Sequence, residues 1–265
     1  NGTITNCVNN AAITGGYAKN SDPNQQPTIG GILAMIGGST AATGTLTVTN
    51  CKNNGTLTQL NGGYIGGIIG RIVNPGTLNV KICENTGAIN AITNVGGIIG
   101  HVNSPNSKGR NTIPLTQCSN GGTITASGDN VGGMIGFCSG QYTGITLTEC
   151  LSTGDVTGAN NAGGLIGITQ PTLNSSVIAS ACNVQANVKA TGNYAGLAVG
   201  YYKTYDTRAS LTVQNSLLLG QVTAGGNAAA IIGAVGTDKA VPTPTVKLMN
   251  TYVQATVTVD ADAVA

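Results

Sequence analysis

The sequence predicts an all-β chain wound as a single-domain parallel β-helix, or β-solenoid, spanning residues 1–265 in about eight coils of three short strands. Three observations predict it. Six of the seven cysteines (Cys7, Cys51, Cys83, Cys118, Cys150 and Cys182) recur at intervals of 44, 32, 35, 32 and 32 residues. A Gly-Gly pair followed by two apolar residues and a glycine recurs between them, at Gly66–Gly70, Gly96–Gly100, Gly132–Gly136 and Gly163–Gly167. The stretch before each cysteine alternates polar and apolar residues, the mark of a half-buried strand, and no stretch holds a helical period.

The coils start near residues 1, 45, 77, 112, 144, 176, 210 and 245, the last incomplete, with Ser216 and Thr251 in the cysteine slot of the final two. The first strand of each coil is centred on an apolar residue: Ile4, Val48, Val80, Leu115, Leu147, Ala179, Val213 and Leu248. A turn follows the cysteine slot, usually with glycine four positions on (Gly55, Gly87, Gly122, Gly154, Gly220). The second strand carries an apolar residue six positions after the slot: Ile13, Leu57, Ile89, Ile124, Val156, Val188, Val222 and Val257. The third strand is the Gly-Gly element, with variants at Gly30-Gly31-Ile32, Ala195-Gly196-Leu197 and Ala229-Ala230-Ile231. One such coil cannot bury its apolar face alone. Stacked coils can, and each repeated position then becomes a column. Parallel crossovers favour a right-handed coil. Insertions at Ala18–Thr28, His101–Thr112, Tyr201–Arg208 and Gly236–Pro244 read as loops between strands.

Composition narrows the function. Charged residues are 8% of the chain and the net charge is +2, with no basic stripe, so no nucleic-acid partner is expected. The longest apolar run, Ala228 to Val235, is too short for a membrane span. Low charge with abundant Asn and Thr points to an extracellular or cell-surface setting, and no signal-peptide pattern opens the chain.

The segments Gly-Ile-Ile-Gly at 67–70 and 97–100, Gly-Met-Ile-Gly at 133–136 and Gly-Leu-Ile-Gly at 164–167 resemble the GLUG motif. The stretch Asn50-Cys51-Lys52-Asn53-Asn54-Gly55-Thr56-Leu57-Thr58 resembles the other half of that repeat. The resemblance covers nearly the whole chain. It implies surface or secreted repeats, including non-catalytic parts of large adhesins and of immunoglobulin-degrading proteases. Ser216 and Thr251 depart from its cysteine, and the last coil lacks its Gly-Gly strand.

The sequence carries no recognisable pattern for catalytic or metal chemistry. The one histidine, His101, falls in an expected loop and reads as solvent-exposed, and there is no Cys-x-x-Cys pair, so no cofactor or metal is expected. The nine acidic residues are dispersed rather than paired, and no Gly-x-Ser-x-Gly occurs, so the chain reads as a non-enzyme, with a polysaccharide-active enzyme as a minor alternative. The cysteine column reads as a buried, reduced stack, with a disulfide ladder as the alternative, since in-register side chains hold their Cβ atoms wider than a relaxed bridge prefers. Thr-x-Thr pairs raise ice binding, but other residues break the array. Tyr201, Tyr202, Lys203, Tyr205 and Arg208 gather rings and charge into one segment suited to a glycan or a partner protein. At the two ends, Ile4, Cys7 and Ile13 at one and Leu248, Thr251 and Val257 at the other continue the repeat without a cap. The expectation is self-association, head to tail, into a filament or surface fibre. The alternative is a monomeric adhesin or stalk that binds through its edge loops.

Overall fold

A computed structural model describes residues 1–16, 26–37, 44–105, 111–236 and 245–260. Most of the insertions expected at Ala18–Thr28 and Gly236–Pro244, and the middle of His101–Thr112, lie outside those residues.

The third winding shows how one repeat folds. It runs through Thr77–Lys81, Glu84–Asn85, Ile89–Ala91, Val95–Gly96 and Ile99–Ser104. Equivalent strands of successive windings pair in parallel and build sheets of eight, fourteen, seven and seven strands, with no helix among the described residues. The fold is therefore the expected parallel β-solenoid. The expected three strands per coil are in fact five short segments in the first six coils and four in the seventh. The eight coils resolve into seven that run through all four sheets and a last one confined to two.

The third strand of each coil divides because its glycines form a corner. Gly66 ends one strand and Ile69 begins the next. A methyl group at Gly67 would sit 2.0 Å from the Gly97 carbonyl oxygen and 2.6 Å from Asn85 Cγ. A side chain at Gly67 would have to displace that backbone, so glycine suits this corner. The variant at Ala195-Gly196-Leu197 is shifted by one residue from its expected alignment: Gly196 pairs with Gly163, so Leu197 takes the place of the second glycine.

Matching residues stand in file. Val48, Val80, Leu115, Leu147, Ala179, Val213 and Leu248 are successive partners in one column. Ile13, Leu57, Ile89, Ile124, Val156, Val188, Val222 and Val257 form another. These columns and the cysteines merge into one core along the solenoid axis. Cysteine carbonyls accept the N–H of the residue after the next cysteine slot: Lys52 to Cys7 at 2.8 Å, Glu84 to Cys51 at 2.9 Å, Ser119 to Cys83 at 2.9 Å and Leu151 to Cys118 at 3.0 Å. All seven thiols are free.

A buried amide ladder lies beside the cysteines. Asn9, Asn53, Asn85 and Asn120 each stand two residues past the slot. The Nδ2 groups of Asn9, Asn53 and Asn85 each donate to the next Oδ1 along the file, at 2.7, 2.7 and 2.8 Å. The Nδ2 groups also donate to the carbonyls of Ala11, Gly55, Gly87 and Gly122 at 2.9, 2.9, 2.9 and 3.0 Å. This answers the amide's hydrogen-bonding needs away from water. It also links the two halves of the repeat, because Asn85 fills the space that a side chain at Gly67 would claim.

The corner just before each cysteine slot is left-handed in every winding. Asn6, Asn50, Ile82, Gln117, Glu149, Ala181, Asn215 and Asn250 have φ of 57, 51, 51, 54, 54, 54, 51 and 47°. Asparagine tolerates this region and a β-branched residue does not. Ile82 is strained there and gains little from burial, being 54% exposed. Ile82→Asn is expected to raise stability by about 1 kcal/mol, seen as a higher thermal unfolding midpoint. An unchanged or lower midpoint would contradict the strain argument.

Candidate functional site

The last sheet of the winding carries the rings. Its strands include Ile69–Val73, Ile99–Ser104, Ile135–Gly140, Ile166–Pro171 and Val199–Lys203. Side chains alternate across a strand. Ile72, Val102, Cys138, Thr169 and Tyr202 form the inward file, and Arg71, His101, Phe137, Ile168 and Tyr201 form the file on the outer face.

His101 corrects the sequence reading. It lies in a strand, not a loop, and is 3% exposed. Its ring is sandwiched between Tyr64 and Phe137, with centroids at 4.5 and 4.7 Å. The Arg71 guanidinium covers the Tyr64 ring at 4.6 Å. Nε2 lies 3.1 Å from Ser139 Oγ, while Nδ1 is buried without a partner. Burial, helped by the charge on Arg71, lowers the imidazole pKa to about 3. The pairing with Ser139 has the outline of a nucleophile and its base. However, so weak a base stays neutral, and no carboxylate orients Nδ1.

The acids that the structure describes serve local structure. Glu84 pairs with Lys52 at 2.9 Å, Glu149 accepts from Gln117 at 2.9 Å, and Asp129 accepts from Asn160 at 2.9 Å. No group of three His, Cys, Asp or Glu converges on a metal-sized site among the described residues.

The tyrosine segment is only in part a loop. Tyr201, Tyr202 and Lys203 belong to a strand. Tyr202 points inward and is fully buried, and burial raises its pKa to about 12, so it is not presented to a ligand. Tyr201 stacks on Tyr194 at 4.6 Å. Lys203 Nζ lies 5.6 Å from the Tyr205 ring. Arg208 grips Asp206 through Nε at 3.0 Å and Nη2 at 2.8 Å. Those bonds hold the Asp206 carboxyl below its usual range. What the sequence did not show is how the rings meet: Tyr64 and Phe137 come from the windings on either side of His101, and Tyr194 and Tyr201 stack within one winding.

The end rungs are the other candidate surface. Ile4, Cys7 and Ile13 are half-buried, as is Thr251, whereas Leu248 is 47% and Val257 42% exposed. Their column mates in the interior windings are buried. The first and last strands of the eight-stranded sheet, Gly2–Thr5 and Thr245–Met249, each have a strand partner on one side only. No described helix is long and apolar enough to cross a membrane.

These features define a class: a parallel β-solenoid with cysteine and asparagine files inside and an aromatic strip outside. No protein-family model matches the chain. It is similar to halomucin of Haloquadratum walsbyi, 27% identical over 183 residues, which is 67% of this chain and 2% of halomucin. The chain thus spans a very small part of that relative. The crystal structure of a proposed immunoglobulin A1 protease from Bacteroides ovatus has a similar fold, with a TM-score of 0.51 and 16% identity over 92% of this chain and 76% of that one. At that identity the likeness speaks for the fold alone.

Proposed function

We propose that the chain is a non-catalytic, extracellular structural solenoid of the GLUG-repeat type that stacks end to end with further windings of its own kind. The observation that carries this reading is the match between its ends. The slot-minus-three column ends in Ile4 and Leu248, the slot in Cys7 and Thr251, and the slot-plus-six column in Ile13 and Val257, in the same register at both faces. A second copy placed head to tail continues the core columns and supplies the missing strand partners. The Asn50 Nδ2 donates to Asn6 Oδ1 at 2.7 Å and Asn250 Nδ2 to Asn215 Oδ1 at 3.3 Å, so Asn6 of one copy is oriented to donate to Asn250 of another. The resemblance to the GLUG repeat and the similarity to halomucin agree with a surface solenoid.

Electron microscopy across concentration tests this. The purified 265-residue chain is expected to form unbranched fibres, and the Leu248→Lys, Val257→Lys double variant to remain as short rods. Short rods from the unaltered chain at every concentration would sink the head-to-tail reading.

The aromatic strip supports a second reading, an adhesin or stalk segment binding glycan or protein through one face. Flat rings beside a cation suit such ligands. Binding on a glycan array is then expected to fall in Tyr64→Ala and Tyr201→Ala; binding that is equal in both would remove the strip from the case.

A further inference from the structure

We propose that the cysteine file is a binding site for soft, thiophilic metal ions, each held by two sulfurs of successive windings. The geometry comes from the repetition of one side-chain conformation. Each thiol points to the carbonyl two residues before it: Cys51 to Thr49 at 3.4 Å, Cys83 to Lys81 at 3.3 Å, and Cys118, Cys150 and Cys182 to Thr116, Thr148 and Ser180 at 3.6 Å. Each also points to the carbonyl three residues before the preceding cysteine: Ile4 at 3.9 Å, Val48 at 3.6 Å, Val80 at 3.5 Å, and Leu115 and Leu147 at 3.6 Å. Five thiols with the same contacts share one rotamer. Their sulfurs are then separated by the rise of one winding, ~4.8 Å.

That spacing selects the chemistry. A disulfide needs sulfurs at about 2.05 Å and Cβ atoms near 3.8 Å, so both side chains must leave the shared conformation. An ion midway between two sulfurs, at a metal–sulfur distance of about 2.3 Å, needs them about 4.6 Å apart. Neighbouring rungs meet this with little movement. Tetrahedral zinc is disfavoured, because among the described residues no third or fourth His, Cys, Asp or Glu ligand converges. Ions content with two thiolates fit: Cu(I), Ag(I) or Hg(II).

The surroundings accept the exchange. Mercury(II) bound to two thiols releases two protons and leaves a neutral bis-thiolate, so no net charge is buried. The carbonyls that lose a thiol donor keep a backbone one: Lys81 O accepts Asn50 N–H at 3.0 Å, Thr116 O accepts Ile82 N–H at 2.9 Å and Thr148 O accepts Gln117 N–H at 2.9 Å. Cys7, the half-exposed end of the file, provides an entrance.

The test is titration of the fully reduced chain with mercury(II) chloride under nitrogen, read by native mass spectrometry and by thiolate-to-metal charge-transfer absorption. Six column thiols taken in pairs should bind three ions and release six protons, with a raised unfolding midpoint. Cys118→Ser interrupts the file and should reduce uptake to two. Serine is accommodated in this slot, since Ser216 occupies it and donates to Gln214 O at 2.7 Å. Cys138→Ser, outside the file, should leave three, and zinc(II) should not be retained. Uptake only after unfolding would overturn the proposal. So would equal losses in the two serine variants, or pairwise conversion to disulfides without metal uptake.

Discussion

Asn85→Ala is expected to destabilise the chain by roughly 3–5 kcal/mol, a large share of the roughly 5–15 kcal/mol that holds a typical domain together. Asn85 is fully buried. Its Oδ1 accepts from Asn53 at 2.7 Å, and its Nδ2 donates to Asn120 Oδ1 at 2.8 Å and to Gly87 O at 2.9 Å. Truncation leaves an Asn53 N–H and the Asn120 Oδ1, both on fully buried side chains, without their ladder partners. Each orphaned group costs about 1–3 kcal/mol, and the lost side chain adds a cavity. The damage is shared along the file. Asn53→Ala together with Asn85→Ala should therefore cost less than the sum of the two single changes. Denaturant titration measures both. A loss below about 1 kcal/mol for the single change would show that the ladder contributes little.

The second large effect is a loss of stability in acid that traces to His101. Its folded pKa is about 3 and its unfolded pKa is 6.5, so between those values the unfolded chain binds the extra proton. Stability from this group is complete above pH 6.5, falls as pH falls toward about 3, and is flat below that. The full span is on the order of 5 kcal/mol. Carboxylates such as Asp206, held low by Arg208, weaken the fold in the same direction at still lower pH. The comparison that isolates the histidine is His101→Phe, which keeps a ring between Tyr64 and Phe137 and has no proton to bind. Its unfolding free energy should decline much less than that of the unaltered chain between pH 7 and pH 4. Parallel pH profiles would contradict the assignment.

The columns were legible in the sequence because in-register stacking asks each winding for the same residue type at the same place. Val80, Leu115 and Leu147, or Cys83, Cys118 and Cys150, announce one another across thirty-odd residues. The asparagine ladder was present in the same pattern but gave no sign of being buried. A buried amide is tolerated only when its partner lies one winding away, and composition does not show that. His101 was misread because its sandwich is assembled from Tyr64 and Phe137 of the flanking windings, whereas its own sequence neighbours look like the start of an insertion. The tyrosine segment was half legible: alternation along the strand puts Tyr201 outside and Tyr202 inside, which a cluster of ring residues does not reveal. The corner glycines were read as strand because their requirement is set by the winding above, through the Gly97 carbonyl and Asn85.

The most direct measurement locates the sulfurs, by long-wavelength anomalous scattering from a crystal of the native chain. The account expects the sulfurs of Cys7, Cys51, Cys83, Cys118, Cys150 and Cys182 on one nearly straight row at intervals of about 4.8 Å, with Cys138 off the row. Sulfurs scattered through the molecule, or bonded in pairs, would contradict it.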